Sequence, residues 1–244
     1  MSFTSSGPRS GLSSARSYTS ASGTSSGVTL SSVTSGSSVA ASSFVSEQKS
    51  LGKKISLALP SGLPVYDAGI RQPGDVFFHV DGDVAGHTNM TATDTTAKVD
   101  SVDPDGVRKV PIDRDRHTAL VFRFSDPAVA QSAALVAEDW VGRVNYSDAA
   151  KGFGVTFRAL GAVFGSCKFG TGAEARLLKY RSRAHMTPKN VICSEMCVLA
   201  FQLSMPETHP GFIKLDAKHT LPSDLMKYFM GSGRTHWTLV ARRG

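Results

Sequence analysis

The chain has 244 residues, a formal net charge of +7 and 41% hydrophobic residues, enough for one large domain or two small ones. Nothing in it approaches a membrane-spanning length. The charge argues only weakly for nucleic acid, because residues 1–54 carry +4 of it and the remaining 190 residues carry +3. Three cysteines (Cys167, Cys193 and Cys197) are an odd number with two of them four apart, which excludes a disulfide framework and points to a reducing working compartment.

Of the first 43 residues, 28 are Ser, Thr or Gly and none is acidic. Such a stretch buries too little apolar surface to offset its ordering entropy, so residues 1–45 read as a disordered Ser/Thr/Gly-rich leader. A chain beginning near Ser46 is therefore expected to melt with the full-length chain. The leader lacks the apolar core of a secretory signal peptide. Its acid-free composition fits the export signal of a bacterial effector delivered into a host cell, an organelle transit peptide or the head of a filament protein. Residues 46–69 read as a transition segment, with 53–60 as a short edge strand or a partner-binding segment. Residues 70–244 form the folded domain.

Order begins near Gln72-Pro73-Gly74-Asp75. Residues 76–80 predict a strand, Asp81-Gly82 a hairpin turn, and Gly86-His87-Thr88-Asn89-Met90 the returning strand. Residues 97–102 predict a third strand with Val99 and Ser101 on one face and Asp100 and Val102 on the other. Pro104-Asp105-Gly106 turns the chain into a strand over 107–110, and 119–124 predicts a central one. The period then changes. Ser125 or Asp126 caps a helix that carries Ala130, Ala133, Ala134, Ala137 and Val141 on one stripe. Residues 145–170 are Gly-rich and carry no clear element. Residues 174–186 predict a basic helix whose Arg176, Lys179, Arg181 and Arg183 form a solvated face, with docking to an acidic partner or a membrane surface as its functional reading. Residues 221–226 predict a capped helical turn and 237–240 a final strand. Strands gather in one half and helices in the other, an α+β pattern with an antiparallel sheet packed against helices.

The chemistry centres on Cys193. Thr187-Pro188-Lys189-Asn190 supplies a turn, Asn190 or a neighbour is the expected cap, and 193–203 reads as a buried helix closed by Pro206. A thiol in the first turn of a helix feels the positive end of the helix dipole and free N–H groups, which favour the thiolate. A cysteine on an apolar helix is more often plain packing, and Cys197, one turn on, is read that way. A nucleophile also needs a base and an orienting group. His87 is the candidate base and Asp100 the candidate orienter, with Asp103 as its rival. His117 is the runner-up base, and His79, Asp115 and Glu195 are polar groups that could approach the site.

As an ordered set, Gln72-Pro73-Gly74-Asp75-Val76-Phe77-Phe78, Gly86-His87, Val107-Arg108-Lys109-Val110-Pro111-Ile112, Ile192-Cys193-Ser194-Glu195 and Leu221-Pro222-Ser223-Asp224-Leu225 resemble the circularly permuted branch of the NlpC papain-like superfamily, in the pattern of the YiiX-like proteins. The resemblance spans residues 70–230. It implies a permuted papain-like domain in which histidine precedes cysteine, with Cys193, His87 and Asp100 in the catalytic roles. It departs from the family at Gly86, where a Ser is usual, at Asn89, near a usual Gly, and at Asp100, where Glu or His is common.

The resulting expectation is a thiol hydrolase that cuts an amide through a thioester. A lipid or protein-lysine acyltransferase, a peptidoglycan amidase and a non-catalytic protein retaining the fold are the alternatives. The partner is a peptide, isopeptide or acyl substrate, with peripheral membrane contact in reserve; no cofactor and no nucleic acid are expected. A zinc site is a poor match to Cys193 and Cys197 without a second ligand pair. The glycines from Gly152 to Gly172 lack the ending of a phosphate loop. Together with the leader, the thiol chemistry predicts secretion without a signal peptide and work in a host cytoplasm, or in a target-cell periplasm if the substrate is peptidoglycan.

Overall fold

The computed structural model describes residues 62–81, 84–114, 117–147 and 170–243. The leader, residues 53–60, Asp115, Cys167 and most of the Gly-rich stretch lie outside them. Six strands form one antiparallel sheet: β1 (Val76–Asp81), β2 (Val84–Thr91), β3 (Ala97–Val102), β4 (Gly106–Pro111), β5 (Ala119–Phe124) and β8 (Trp237–Arg243). Their order is β4-β3-β2-β1-β5-β8. Residues 119–124 are thus an interior strand, and the last strand runs three residues beyond the expected one. A parallel pair, β6 (Asn145–Tyr146) and β7 (Asn190–Val191), stands apart from the sheet.

Four α-helices are described: α1 (Pro127–Asp139), α2 (Gly170–Arg181), α3 (Cys193–Ser204) and α4 (Pro222–Met230). Asp126 caps α1 by accepting from the Ala128 and Val129 N–H groups at 3.0 and 3.2 Å. The alanine stripe of α1 (Ala130, Ala133, Ala134 and Ala137) is fully sequestered. Side chains this small bring the α1 backbone close to the elements it packs on, α3 above all. The α3 helix is buried from Cys193 to Leu203, so an apolar run with no polar stripe forms the central helix of the domain.

Period-2 alternation divides the sheet into two faces. Val76, Phe78, Met90, Val99, Val107, Leu120 and Phe122 join the main core with the helices. Phe77, Ala119, Val121 and Ala241 face the other way and pack with Tyr66 and Ile112. The 62–70 segment therefore contributes to the core, although its sequence reads as a transition. Aromatic rings fill the β8 end of the main core. Trp237 stacks on Phe229 at 3.6 Å and meets Phe201 edge-on at 4.8 Å.

The Pro73-Gly74-Asp75 motif has a structural explanation. Gly74 has φ +77, and a Cβ there would lie 2.3 Å from the Ala130 carbonyl oxygen, so only glycine fits. Asp75, 1% exposed, accepts from Arg123 Nε and Nη2 (both 2.8 Å) and from the Tyr66 hydroxyl at 2.7 Å. This buried pair joins β1, β5 and the entry segment.

The basic helix departs from expectation. It spans Gly170–Arg181, and its arginines turn inward. Arg176 binds both oxygens of Asp216 at 2.6 and 2.7 Å, and Arg181 donates to the Gln202 and Met205 carbonyls and to Glu207. Charge periodicity marks a face but does not say what covers it; here the 205–216 loop does. Among the described residues, no helix is long and apolar enough to cross a membrane.

Candidate functional site

The α3 helix begins without a side-chain cap. Its N-cap is Ile192, and Asn190, the expected cap, instead pairs with Asn145 in the β6–β7 ladder. The first N–H bonded within the helix is that of Met196, to the Ile192 carbonyl at 2.9 Å. An α-helix leaves its leading N–H groups without intrahelical acceptors, and here no side chain takes up that role at the turn that holds Cys193. Hydrogen bonds on either side set this turn in place. Ser101 Oγ of β3 donates to the Val191 carbonyl at 3.1 Å, and Ser194 Oγ donates to the Thr220 carbonyl at 2.6 Å. Ser194 of the Cys-Ser-Glu motif thereby ties α3 to the turn before α4. Asp224 closes that turn by accepting from the Leu221 N–H at 3.4 Å.

The histidine arrives from the sheet. Thr88 and Met90 of β2 face the helices, and Thr88 Oγ1 lies 3.9 Å from Cys197 Sγ. His87 alternates to the other side. β2 and β3 pair only at Met90–Val99 and Thr91–Lys98. The stretches with His87 and Asp100 are therefore free of each other's ladder. His87 Nε2 lies 2.6 Å from Asp100 Oδ1, and the same ring interacts electrostatically with the Cys193 thiol. With Nε2 taken by the carboxylate, Nδ1 is the nitrogen left for the sulfur.

Electrostatics reinforce the arrangement. Burial works against the charged His87 ring, but the hydrogen bonds to Asp100 and Cys193, with their charges, overcome it and push the pKa up to about 10. Burial likewise opposes the Asp100 charge, and the His87 hydrogen bond and charge, helped by Lys98 and Arg108, hold its carboxyl below the usual range. The Cys197 thiol is pushed up by burial and by Cys193. The first-turn thiol therefore faces an imidazole that keeps its proton, while the second is sealed in the core.

Of the sequence candidates, Cys193, His87 and Asp100 come together. Asp103 is exposed at the end of β3, and the orienting contact goes to Asp100. His117, the runner-up base, is exposed and lies 5.5 Å from the His79 ring. Glu195 is buried beside Arg176 and Tyr180, and the cleft wall does not include it. His79 does belong to the site: it is the cross-strand partner of His87, with ring centroids 5.2 Å apart and edge-on. Asn89 Nδ2 lies 2.9 Å from His79 Nε2 and buttresses it. Sequence reasoning missed this role for Asn89, although its place two residues beyond His87 on one strand face was a usable signal.

His87 and Asp100 open onto a cleft of about 1160 Å³ that also includes His79, Lys98, Arg108 and Arg114. Lys98 was not singled out from sequence, and Arg108 entered only as part of the Val107-to-Ile112 motif. Among the described residues, no group of three or more His, Cys, Asp or Glu is placed to hold a metal ion. Comparison with protein-family models, curated proteins and solved structures finds no match to this chain.

Proposed function

We propose that the protein is a cysteine-dependent amide hydrolase with Cys193 as nucleophile, His87 as acid–base and Asp100 as orienter, in a permuted papain-like domain. The observation that carries this reading is the 2.6 Å hydrogen bond between His87 and the buried Asp100, on a ring that also interacts with the Cys193 thiol at the start of α3. A packing cysteine needs no such partner, so the arrangement favours an enzyme over a non-catalytic binding protein.

The steps follow from the geometry. The Cys193 sulfur attacks the carbonyl carbon, a C–S bond forms, and the carbonyl electrons move onto oxygen. The uncapped N–H groups at the start of α3 supply donors for that oxyanion. The C–N bond breaks as the His87 imidazolium gives its proton to the leaving amine. The now neutral imidazole deprotonates a water, which attacks the thioester and releases the acid, and His87 and Cys193 return to their starting state. Asp100 holds the ring and its charge throughout. Replacement of water by an amine or hydroxyl would make the same site an acyltransferase. Unpaired thiol chemistry and the Ser-rich leader support work in the cytoplasm of a target cell, as a delivered effector.

The test is intact-mass spectrometry after exposure to p-nitrophenyl acetate. The expected result is one acetyl adduct, mapped to Cys193, labile to hydroxylamine and decaying in water, and absent from Cys193→Ala and His87→Ala. Absence of the adduct, or its appearance on Cys197, overturns the reading. For location, toxicity in eukaryotic cells that Cys193→Ala abolishes is expected. Toxicity confined to a bacterial periplasm would instead identify a cell-wall amidase.

A further inference from the structure

The backbone around His87 is the least regular part of the sheet. His79 faces His87 across the β1–β2 ladder, but the next rung pairs Val80 with Ala85, so Gly86 is an extra residue bulged out of β2. On the other side of β2, the ladder to β3 goes no further than Met90–Val99. Side chains therefore hold the ring. Asp100 takes one nitrogen at 2.6 Å, and the His79 ring stands edge-on with its centroid 5.2 Å away, in the range of a favourable aromatic contact. His79 is held in turn by Asn89, whose Nδ2 lies 2.9 Å from its Nε2. An amide nitrogen can only donate, so Nε2 accepts, and the ring beside His87 is neutral and does not repel the His87 charge.

Asn89 is a destabilising choice for its position. It is fully buried, its ladder partner is Phe77, and Phe77 packs in the apolar cluster with Tyr66, Ile112 and Val121. Its Oδ1 is buried and has no hydrogen-bond partner among the described residues. A buried amide left half-satisfied costs stability, whereas a leucine of nearly the same shape would not. The side-chain bond that Asn89 does make goes to the ring that meets His87. We propose that Asn89 and His79 are positioning residues for His87 and that they act most at the thioester stage. The proposal rests on the reading of Cys193 and His87 above. While His87 is an imidazolium, the Asp100 charge holds it in place. Once its proton has gone to the leaving group, the ring keeps its hydrogen bond to Asp100 but loses the attraction of opposite charges, and its side chain is 28% exposed. The His79 ring, fixed by Asn89, then keeps the neutral imidazole aimed at the water it must deprotonate.

The experiment follows the acetyl adduct of Cys193 in the full chain by mass spectrometry, timing its formation from p-nitrophenyl acetate and its decay in water separately. p-Nitrophenolate leaves without taking a proton, so formation reports the thiol, and decay reports the aim of the His87 base. The variants are Asn89→Leu, His79→Ala and the double variant His79→Phe with Asn89→Leu. Decay is expected to slow about 10-fold to 100-fold in both single variants, the usual effect of a misaimed catalytic group. Formation should slow by about threefold at most. The melting temperature of Asn89→Leu should not fall, because the orphaned oxygen is gone and leucine fills the same space. The double variant restores a held ring without a nitrogen, and its decay should recover to within about threefold of the unaltered rate.

Equal slowing of formation and decay, or a melting temperature for Asn89→Leu several degrees lower, would make the pair structural and overturn the proposal. Decay unchanged in the single variants overturns it as well. Decay that stays slow in a double variant of full stability would mean that a His79 nitrogen moves the proton itself, which overturns the positioning role. If the double variant melts earlier, the split between decay and formation in His79→Ala, at a half-buried position, decides the matter. Each of these results leaves the thiol reading standing. Only the absence of an adduct on Cys193 of the unaltered protein overturns that reading.

Discussion

Replacement of Asp100 by Asn removes one unit charge from the His87 pair and leaves a side chain of the same shape. The Asp100 Oδ1 to His87 Nε2 distance is 2.6 Å, which puts the charge centres ~4 Å apart, and at an effective dielectric of about 20 their attraction is about 4 kcal/mol. That would equal ~3 pKa units, and the His87 side chain is 28% exposed, so solvent screening reduces it. The expected fall is about 2 units, bringing His87 from about 10 toward the range where it titrates near neutrality. The assay is a ¹H–¹³C titration of protein labelled at histidine Cε1, with His87→Gln identifying the resonance among the seven histidines. Asn also offers an N–H to Nε2, which moves the remaining proton to Nδ1, the wrong tautomer for a base facing sulfur. The acyl-transfer rate should therefore fall about 10²- to 10⁴-fold. A His87 resonance that titrates near 6.5 in the unaltered protein, or one that Asp100→Asn leaves in place, would refute the electrostatic reasoning.

The same pair sets a pH window for stability. His87 is raised from 6.5 to about 10, so its contribution is fully present below 6.5 and is lost as pH climbs toward 10. Asp100 is lowered, so its contribution is present above 3.8 and is lost as pH falls below that value. Melting temperature should peak on the acidic side of neutrality, and His87→Gln should flatten the alkaline decline. Alkylation with peptide mapping at neutral pH should label Cys193 well before Cys197 or Cys167; equal labelling of Cys193 and Cys197 would contradict the helix-start argument. Gly74→Ala should cost about 2–3 kcal/mol, through its positive φ and the Ala130 carbonyl, and should lower the melting temperature by several degrees. Asp75→Ala should cost about 2–4 kcal/mol in denaturant unfolding, because it removes the buried carboxylate from Arg123 and the Tyr66 hydroxyl and leaves them only the Ile70 carbonyl and the Thr91 hydroxyl. A loss under ~1 kcal/mol would mean that water replaces the carboxylate.

The α+β class, the order of the six sheet strands and the four described helices, and the face alternation of β3 were legible from residue order alone, whereas the short β6–β7 pair was not. Binary patterning and turn chemistry are local, and each needs only neighbours a few residues away. The Cys193 candidate was legible for the same reason: a turn, an apolar run and a terminating proline mark a helix start. The pairing of His87 with Asp100 rather than Asp103 was a matter of strand register, which a one-residue slip reverses. It was decided by the two-residue β2–β3 ladder that leaves those stretches open. The inward turn of Arg176 and Arg181 depended on the Asp216 and Glu207 segments, 40 and 26 residues away along the chain. The presence of Lys98, Arg108 and Arg114 in one cleft depended on β3, β4 and the turn after β4 converging. Charge type is written in the sequence, but which charges share a low-dielectric space is set by distances between elements far apart in the chain, and the tertiary fold alone decides those distances.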